Sequence, residues 1–364
     1  MEGNSVMDKR VIVDIDVHHA PKDKDDLLPF LPRTWHNEWK AMGIIPAHYY
    51  SLIGAYRKDA QPEDGPPGSD PGLMRKQLLD GNGIDYAILT SDAINISVYY
   101  NPDYANAVAS AYNEWTAGYW LPQDSRFKGS ILINNSDIPA AVKEIERWGD
   151  HPDMVQIVMP SASRTLYGQR IFHPLYEAAE KYGLPIAIHP TAEGRGIAPE
   201  PTNAGYPTRY MEWHAGLSLS YIAHLLSLVC EGVFEKFPGF NLIGMEGGIS
   251  WLPNVMWTLD NHYKALRSSV PWLKKYPSQY IIDNVYLTTQ PLEEPEKKEH
   301  FTQILDMIHA DKTLLYSSDY PHWDFDAPKT VELSLPKHLR DAVMGETALE
   351  LFGLKRPSGK GASV

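Results

Sequence analysis

Eight short apolar segments recur along this chain of 364 residues, and segments of helical periodicity separate most of them. Each apolar segment is four to seven residues long, and valine, isoleucine and leucine are frequent, as in strands buried on both faces. The eight segments are residues 11–17, 86–90, 129–133, 154–159, 184–188, 241–245, 285–289 and 314–317. Strands that alternate with helices are typical of a parallel sheet, and eight such units predict an α/β fold, the closed (β/α)8 TIM barrel.

An open, doubly wound sheet is the rival interpretation of this alternation. That fold binds dinucleotides through a Gly-x-Gly-x-x-Gly turn after an early strand, and no early segment here is followed by one. We therefore favour the barrel and treat residues 1–364 as a single domain. Residues 20–71 are rich in proline and aromatic residues and lack sustained periodicity, which predicts an insertion that covers the active site. Residues 353–364 are interpreted as a tail.

The composition limits which classes of molecule this protein is expected to bind. A formal net charge of -13 disfavours nucleic acid, because an acidic surface repels phosphate groups. We find no signal-peptide pattern at the N-terminus and no apolar stretch that approaches the length of a membrane span, so we expect no membrane partner. The single cysteine, Cys230, excludes an internal disulfide. These features predict a cytoplasmic protein that acts on a small-molecule substrate.

Side chains that can bind metals follow several of the predicted strands. Asp16 and His18 lie two residues apart and so share one face of the first strand. His189 follows the fifth strand, Glu246 the sixth and Asp319 the eighth. An Asp-x-His seen alone is more often a hydrogen-bonded strand end, but the carboxyl ends of barrel strands meet at the face that carries active sites. We therefore predict a divalent metal bound by two carboxylates and two imidazoles, a ligand set that suits Zn, Mn or Fe: Asp16, His18, His189 and Asp319.

Other side chains near the strand ends are candidates for proton transfer and substrate binding. Glu246 precedes two glycines and is interpreted as a ligand, a base or a group that orients a ligand. His214 stands at the entry of a predicted helix over residues 217–237 and is either a proton carrier or an ordinary helix-start residue. Arg195, in a Glu-Gly-Arg-Gly loop, is expected to pair with a substrate carboxylate, although a surface arginine explains it equally well. His322 and Trp213 are also predicted to contact substrate.

The remaining histidines fit structural roles better. His19 faces away from His18 on the first strand, and His224 and His262 fall within helical patterns. Asp324 lies just past the last strand and is a further candidate for a hydrogen bond to a ligand or substrate.

The ordered set of motifs resembles the amidohydrolase-related barrel family, which includes aminocarboxymuconate-semialdehyde decarboxylase and the resorcylate-type decarboxylases. The motifs are an acid-x-acid-x-His first strand, His-Pro after the fifth and Ser-Asp-Tyr-Pro-His after the eighth, and the resemblance runs from about residue 11 to residue 352. It implies that Asp16, His18, His189 and Asp319 take the metal-ligand positions. It also implies a homodimer or a hetero-oligomer with a paralogue. Two positions depart from the family: Asp16 replaces a common histidine, and Glu246 replaces the catalytic histidine of the decarboxylases.

Three functions are compatible with these features. The leading hypothesis is metal-dependent hydrolysis or decarboxylation of a small carboxylate or ring-containing metabolite, with Asp319 as ligand and general base and Glu246 or His214 moving protons. The second is a dinuclear non-haem Fe or Mn oxygenase, a branch of the same family. In that case two metals share one ligand set: Asp16, His18, His189, His214, Glu246 and Asp319. The third is an inactive barrel that serves as a partner subunit of such an enzyme.

Overall fold

The eight predicted strands form one parallel sheet whose spatial order follows the sequence. The computed structural model describes residues 10–45 and 55–358, apart from the side chains of residues 92–94. The strands are β1 (Val13–His19), β2 (Tyr86–Ser91), β3 (Phe127–Leu132), β4 (Met154–Pro160), β5 (Ile186–His189), β6 (Leu242–Gly244), β7 (Val285–Thr288) and β8 (Leu314–Leu315). Every predicted strand is present, and each boundary lies within two residues of the prediction.

Hydrogen bonds between the segment after β8 and β1 close the sheet into a cylinder. The backbone N–H of His18 donates to the carbonyl of Tyr320 at 2.7 Å, and the N–H of Asp319 donates to the carbonyl of Asp16 at 3.1 Å. Because the first and last strands are joined in this way, the (β/α)8 barrel is confirmed and the open doubly wound sheet is wrong. The same bonds bring two predicted metal ligands, from opposite ends of the chain, to one point on the rim.

Helices surround the sheet and also occupy the long connections. They are α1 (His36–Met42), α2 (Pro71–Met74), α3 (Pro102–Trp115), α4 (Ile138–Trp148), α5 (His173–Tyr182), α6 (Tyr210–Ala215), α7 (Ser218–Cys230), α8 (Val233–Lys236), α9 (Leu252–Leu266), α10 (Pro277–Asn284), α11 (Lys298–Met307), α12 (Ala310–Thr313), α13 (Pro328–Ser334) and α14 (Thr347–Leu351). Wider helical turns follow α2 and α3, at Arg75–Asp80 and Thr116–Trp120, and a third precedes α14, at Ala342–Glu346.

The sequence predicts one helix over residues 217–237, but the structure has two helices there, α7 and α8. The prediction of a continuous helix was therefore wrong. Gly232 separates them with φ of 72°, a left-handed conformation that side chains other than glycine adopt only with strain. A Cβ at this position would also lie 2.2 Å from Cδ1 of Trp272, so the site excludes larger residues. The chain can therefore reverse after α7 and lead into β6.

The insertion after β1 reaches the rim of the barrel in its described part. The N–H of Arg57 donates to the carbonyl of Pro321 at 3.0 Å, and the N–H of Trp323 donates to the carbonyl of Ala55 at 3.0 Å. Residues 46–54 lie outside the described residues, as do residues 359–364 of the predicted tail. The division into insertion, barrel and tail therefore stays a prediction.

Within the described residues, the segment Tyr210–Cys230 is long and apolar enough to cross a membrane by length and composition. This differs from the expectation that no stretch approaches that length. The segment is two helices, α6 and α7, separated at Gly216 and Leu217, and α7 buries Tyr221, Leu225 and Leu228. Helices that pack on the core of a soluble protein meet the same criterion, so the segment is weak evidence for a membrane span.

Candidate metal centre

The four predicted metal ligands meet at the carboxyl end of the barrel. Asp16, His18, His189 and Asp319 are all at most 4% exposed, and one ligand-type atom from each lies within 4.8 Å of the others. His18 Nε2 lies 3.0 Å from Asp319 Oδ1 and 3.5 Å from Asp16 Oδ1, and His189 Nε2 lies 3.4 Å from Asp16 Oδ2. Nitrogen and oxygen atoms thus converge on one small volume, as the strand-end pattern predicted.

The backbone of β1 and of the segment after β8 sets these positions. The pairing of β1 with β2 shifts register between Asp14 and Val17, which is a bulge next to Asp16. Asp14 lies behind the ligands, and its Oδ1 accepts a hydrogen bond from the N–H of Ser318 at 2.9 Å. Asp319 follows with φ of 58°, a strained conformation for a residue with a Cβ. This turn carries its carboxylate toward His18 rather than along the strand.

The residues present fit a divalent cation. Both carboxylate oxygens of Asp16 are buried, and neither accepts a hydrogen bond from any residue that the structure describes. Burying a carboxylate without a hydrogen bond is costly, so such a group is expected to face a cation. The Nδ1 of His189 donates to the carbonyl of Pro190 at 3.1 Å, which fixes the tautomer and leaves the Nε2 lone pair directed at the cluster. Carboxylate and imidazole ligands suit Mn, Fe or Zn.

Asp319 is the most strongly connected member of the cluster. Its Oδ1 accepts a hydrogen bond from Nδ1 of His322 at 2.6 Å, and its Oδ2 accepts one from Nε2 of Gln290 at 3.3 Å. Burial by itself would raise the pKa of Asp319, but the adjacent His322 and His18 outweigh burial and hold that pKa well below its ordinary value. Asp319 is therefore a carboxylate throughout the neutral range, as a metal ligand must be.

A second group of ligand-type atoms adjoins the first. Glu246 Oε2 lies 3.2 Å from His189 Nε2, and Glu246 Oε1 lies 3.6 Å from His214 Nε2. His214 Nε2 also lies 3.1 Å from Asp324 Oδ2. Glu246 has φ of 56°, and its N–H donates to Thr288 Oγ1 at 3.0 Å, which fixes the carboxylate between the two histidines. Burial raises the pKa of Glu246 well above its ordinary value, and the charges of Asp319 and Asp324 raise it further.

Aromatic rings border the cluster on its open side. The ring of Tyr56 stacks on His322 with centroids 5.1 Å apart, and the ring of Trp323 lies 5.9 Å from that of His214. The indole N–H of Trp323 donates to the hydroxyl of Tyr210 at 3.1 Å, although 52% of the Trp323 side chain remains exposed. The rim next to the cluster can therefore contact a flat, ring-shaped molecule.

Two of the predicted substrate contacts line cavities whose described lining does not include the four metal ligands. Arg195 lines a cavity of about 1480 Å³ together with Tyr99, Tyr100 and Tyr206, and the four metal ligands are not among its described lining residues. Trp213 lines a smaller cavity of about 60 Å³ with Glu193. Arg195 and Trp213 as substrate contacts stay predictions. His322 does reach the cluster, through its bond to Asp319, and its contact with substrate also stays a prediction.

Of His19, His224 and His262, which were not predicted to bind metal or substrate, two are buried and hydrogen-bonded and one lies on the surface. His19 is buried, with Nδ1 3.1 Å from the carbonyl of Thr90 and Nε2 2.8 Å from Thr116 Oγ1. The Nε2 of His224 lies 2.8 Å from the carbonyl of Ser161, inside the core. His262 is exposed on α9.

Sequence reasoning missed Gln290 and did not connect Asp324 to His214. The amide of Gln290 donates to Asp324 Oδ2 at 2.9 Å as well as to Asp319, so it belongs to the cluster. Gln290 comes two residues after the end of β7, and extending the strand-end argument to that strand would have identified it. The contact between Asp324 and His214 has no comparable signal, because it joins α6 to the segment after β8, 110 positions away.

Comparisons with known proteins agree with this geometry. A family model described as amidohydrolase matches residues 13–354. The gamma-resorcylate decarboxylase of Polaromonas sp. strain JS666 is 27% identical over 303 residues, which is 78% of this chain and 87% of that protein. A solved dihydroxybenzoic acid decarboxylase of Polaromonas sp. JS666, with bound manganese and the inhibitor 2-nitroresorcinol, has a TM-score of 0.67 at 21% identity, covering 96% of this chain and 99% of that one. The 5-carboxyvanillate decarboxylase of Sphingomonas paucimobilis has a TM-score of 0.69 at 19% identity, covering 95% and 100%. At these identities the solved structures establish the shared fold.

Proposed function

This chain belongs to the amidohydrolase family, and from that premise we propose that it is a metal-dependent decarboxylase of an aromatic carboxylate. The buried cluster Asp16, His18, His189 and Asp319 carries the proposal, because its donor set suits a divalent metal such as manganese. Relatives that decarboxylate hydroxylated benzoates support decarboxylation over hydrolysis. The aromatic rim beside the cluster supports a ring-shaped substrate.

The reaction requires a proton at a defined place. Loss of CO2 breaks the bond between the ring carbon and the carboxyl carbon and leaves the electron pair on the ring carbon. That ring carbon then takes up one proton. A divalent ion held by Asp16, His18, His189 and Asp319 would supply a Lewis acid for an anionic substrate. The chain supplies a proton path, since the His322 side chain is 22% exposed and hydrogen-bonded to the buried Asp319. His322 can therefore take a proton from solvent and pass it to the ring carbon, while Asp319 stays ionised and orients the imidazole.

The experiment combines metal analysis with a decarboxylation assay. Purified full-length protein is analysed for Mn, Fe and Zn, and 2,6-dihydroxybenzoate and 5-carboxyvanillate are tested for CO2 release. We expect a bound divalent metal, and we expect Asp319→Asn to lower the rate by about 10²- to 10⁴-fold. His262→Gln, on the exposed face of α9, is the control and should leave the rate unchanged. Protein without divalent metal, together with an active Asp319→Asn variant, would contradict the proposal.

A dinuclear oxygenase is the second candidate, and one observation favours it. Glu246 lies between His189 of the first cluster and His214, which in turn contacts Asp324, so a second cation would find three ligand-type groups beside the first. This candidate predicts about two equivalents of iron or manganese per chain and substrate-dependent oxygen consumption. His214→Ala should then remove one equivalent and leave the other. A single equivalent in the wild-type protein, unaffected by His214→Ala, would exclude this candidate.

The expected partners are part of the proposal. We propose a homodimer or a hetero-oligomer with a paralogue, and light scattering of the purified chain measures which assembly forms. An isolated chain that binds metal and lacks turnover, but gains activity when mixed with a paralogue, would support the partner-subunit role.

A further inference from the structure

Gln290 is a buried amide that joins the two groups of ligand-type side chains. Its side chain is 0% exposed, and its Nε2 donates to Asp319 Oδ2 at 3.3 Å and to Asp324 Oδ2 at 2.9 Å. We propose that Gln290 is a positioning residue that holds the Asp319 carboxylate in its metal-binding orientation. The inference rests on the metal dependence of the proposed function and on none of its reaction steps.

The surroundings of Gln290 determine which way its amide points. Asp319 and Asp324 each present a carboxylate oxygen, and a carboxylate only accepts hydrogen bonds. The reversed amide would place its carbonyl oxygen against both acceptors, so the NH2 group must face them. A glutamate here would add another negative charge between two carboxylates. A neutral donor of this length is therefore what the position requires.

The backbone around Gln290 is fixed to both neighbouring strands. The N–H of Gln290 donates to Ser317 Oγ at 3.2 Å, two residues before Asp319. Its carbonyl accepts a hydrogen bond from Thr288 Oγ1 at 3.1 Å, and the same Oγ1 accepts the N–H of Glu246. Gln290 is thus held by the segment after β8 and is linked through Thr288 to the residue after β6. Its amide can therefore restrain Asp319 instead of merely following it.

This restraint assigns different partners to the two oxygens of Asp319. The Gln290 amide donates a hydrogen bond to Oδ2, and the imidazoles of His18 and His322 face Oδ1. Without the amide, the Asp319 side chain could rotate and Asp324 would lose a neutral donor. Partners that orient metal-bound carboxylates typically contribute about 10- to 100-fold to metal affinity or activity. We expect a loss of Mn²⁺ affinity in that range when the amide is removed.

The experiment measures Mn²⁺ binding to full-length protein freed of metal with a chelator. Gln290→Met removes the donor at similar volume, and Gln290→Asn retains an amide but shortens its reach. Titration calorimetry gives the dissociation constant, and the electron paramagnetic resonance spectrum of bound Mn²⁺ reports the symmetry of its ligands. We expect weaker binding by about 10- to 100-fold and an altered spectrum in each folded variant.

Gln156→Met is the matched control. Gln156 is also 0% exposed inside the barrel, but its amide donates to Ser130 Oγ at 2.7 Å and not to a ligand-type carboxylate. We expect this variant to lose stability and to keep the wild-type Mn²⁺ affinity and spectrum. If Gln290→Met does not fold, Gln290→Asn decides the question. A folded Gln290 variant with the wild-type spectrum and an affinity within about threefold of wild type would overturn the inference. Wild-type protein that binds no Mn²⁺ would instead contradict the proposed function.

Discussion

Asp16→Asn should stabilise the protein when no metal is bound and should weaken the stabilisation that metal provides. Both oxygens of Asp16 are buried without a hydrogen bond from the described residues, and a buried polar group in that state costs about 1–3 kcal/mol, more when charged. Asparagine has nearly the same shape and no charge. We therefore expect the metal-free variant to gain about 1–3 kcal/mol, seen as a melting temperature several degrees higher.

Bound Mn²⁺ should offset much of the stability that the metal-free variant gains over the metal-free wild type. A ligand at 100 times its dissociation constant stabilises the folded state by about 2.7 kcal/mol, and wild-type protein should gain that amount from Mn²⁺. Asp16→Asn lacks one charged ligand and should gain much less at the same concentration. Both results together would mean that the ligand arrangement favours cation binding at the expense of the stability of the metal-free protein.

Scanning calorimetry of chelator-treated protein, with and without added Mn²⁺, measures both quantities. Asp150→Asn removes one negative charge from an exposed position and serves as the control, with little effect on either quantity. The reasoning fails if metal-free Asp16→Asn melts below wild type and Mn²⁺ raises its melting temperature as much as that of the wild type. That pair of results would mean that the Asp16 carboxylate already has an adequate partner in the metal-free protein.

Three further predictions concern other parts of the chain. Burial lowers the pKa of His224 to about 4, below its ordinary value, so the unfolded chain binds this proton more readily than the folded protein does. The free energy of unfolding should therefore fall by about 3 kcal/mol between pH 6.5 and pH 4. In denaturant titrations at both pH values, the free energy of unfolding of His224→Gln should fall less. A Cβ on Gly345 would lie 2.5 Å from the carbonyl oxygen of Val11, so Gly345→Ala should cost about 1–3 kcal/mol by chemical denaturation, and a variant as stable as wild type would contradict the geometry. His322→Asn should lower kcat for decarboxylation by about 10²-fold or more while Mn²⁺ stays bound; an unchanged kcat would exclude the proton path through His322.

The residues that could be predicted from the sequence are those positioned by the strands themselves. Asp16 and His18 share a face because side chains alternate along a strand, and His189 and Asp319 follow strands whose ends must meet in a barrel. Local rules therefore sufficed for the four-residue cluster. The same rules placed His19 away from the cluster, where it contacts Thr90 and Thr116.

The residues that could not be predicted depend on loops. His214 and Asp324 are 110 positions apart, and their contact depends on how the connection before α7 and the turn after β8 fold over the rim. Arg195 was proposed by analogy with carboxylate-binding arginines, and the sequence could not predict that its loop would place it in the wall of a cavity with Tyr99 and Tyr206. Gly232 marks the break between α7 and α8 and can be seen in the sequence. A single glycine is often tolerated inside a helix, however, so Gly232 alone could not distinguish one helix from two.

The negative charge of the rim relates the two candidate functions to the number of metal ions bound per chain, which can be measured without a substrate. Asp16, Asp319, Glu246 and Asp324 bring four carboxylates together, and the first three are at most 7% exposed. Buried like charges are unfavourable unless cations or protons offset them. One divalent ion offsets two of the four negative charges, and the remainder then requires protons, either on Glu246, whose pKa burial raises, or on a neighbour such as His322. Two divalent ions offset all four. The number of metal ions bound per chain therefore decides which groups remain available to move protons, and with them which of the two reactions the site can support.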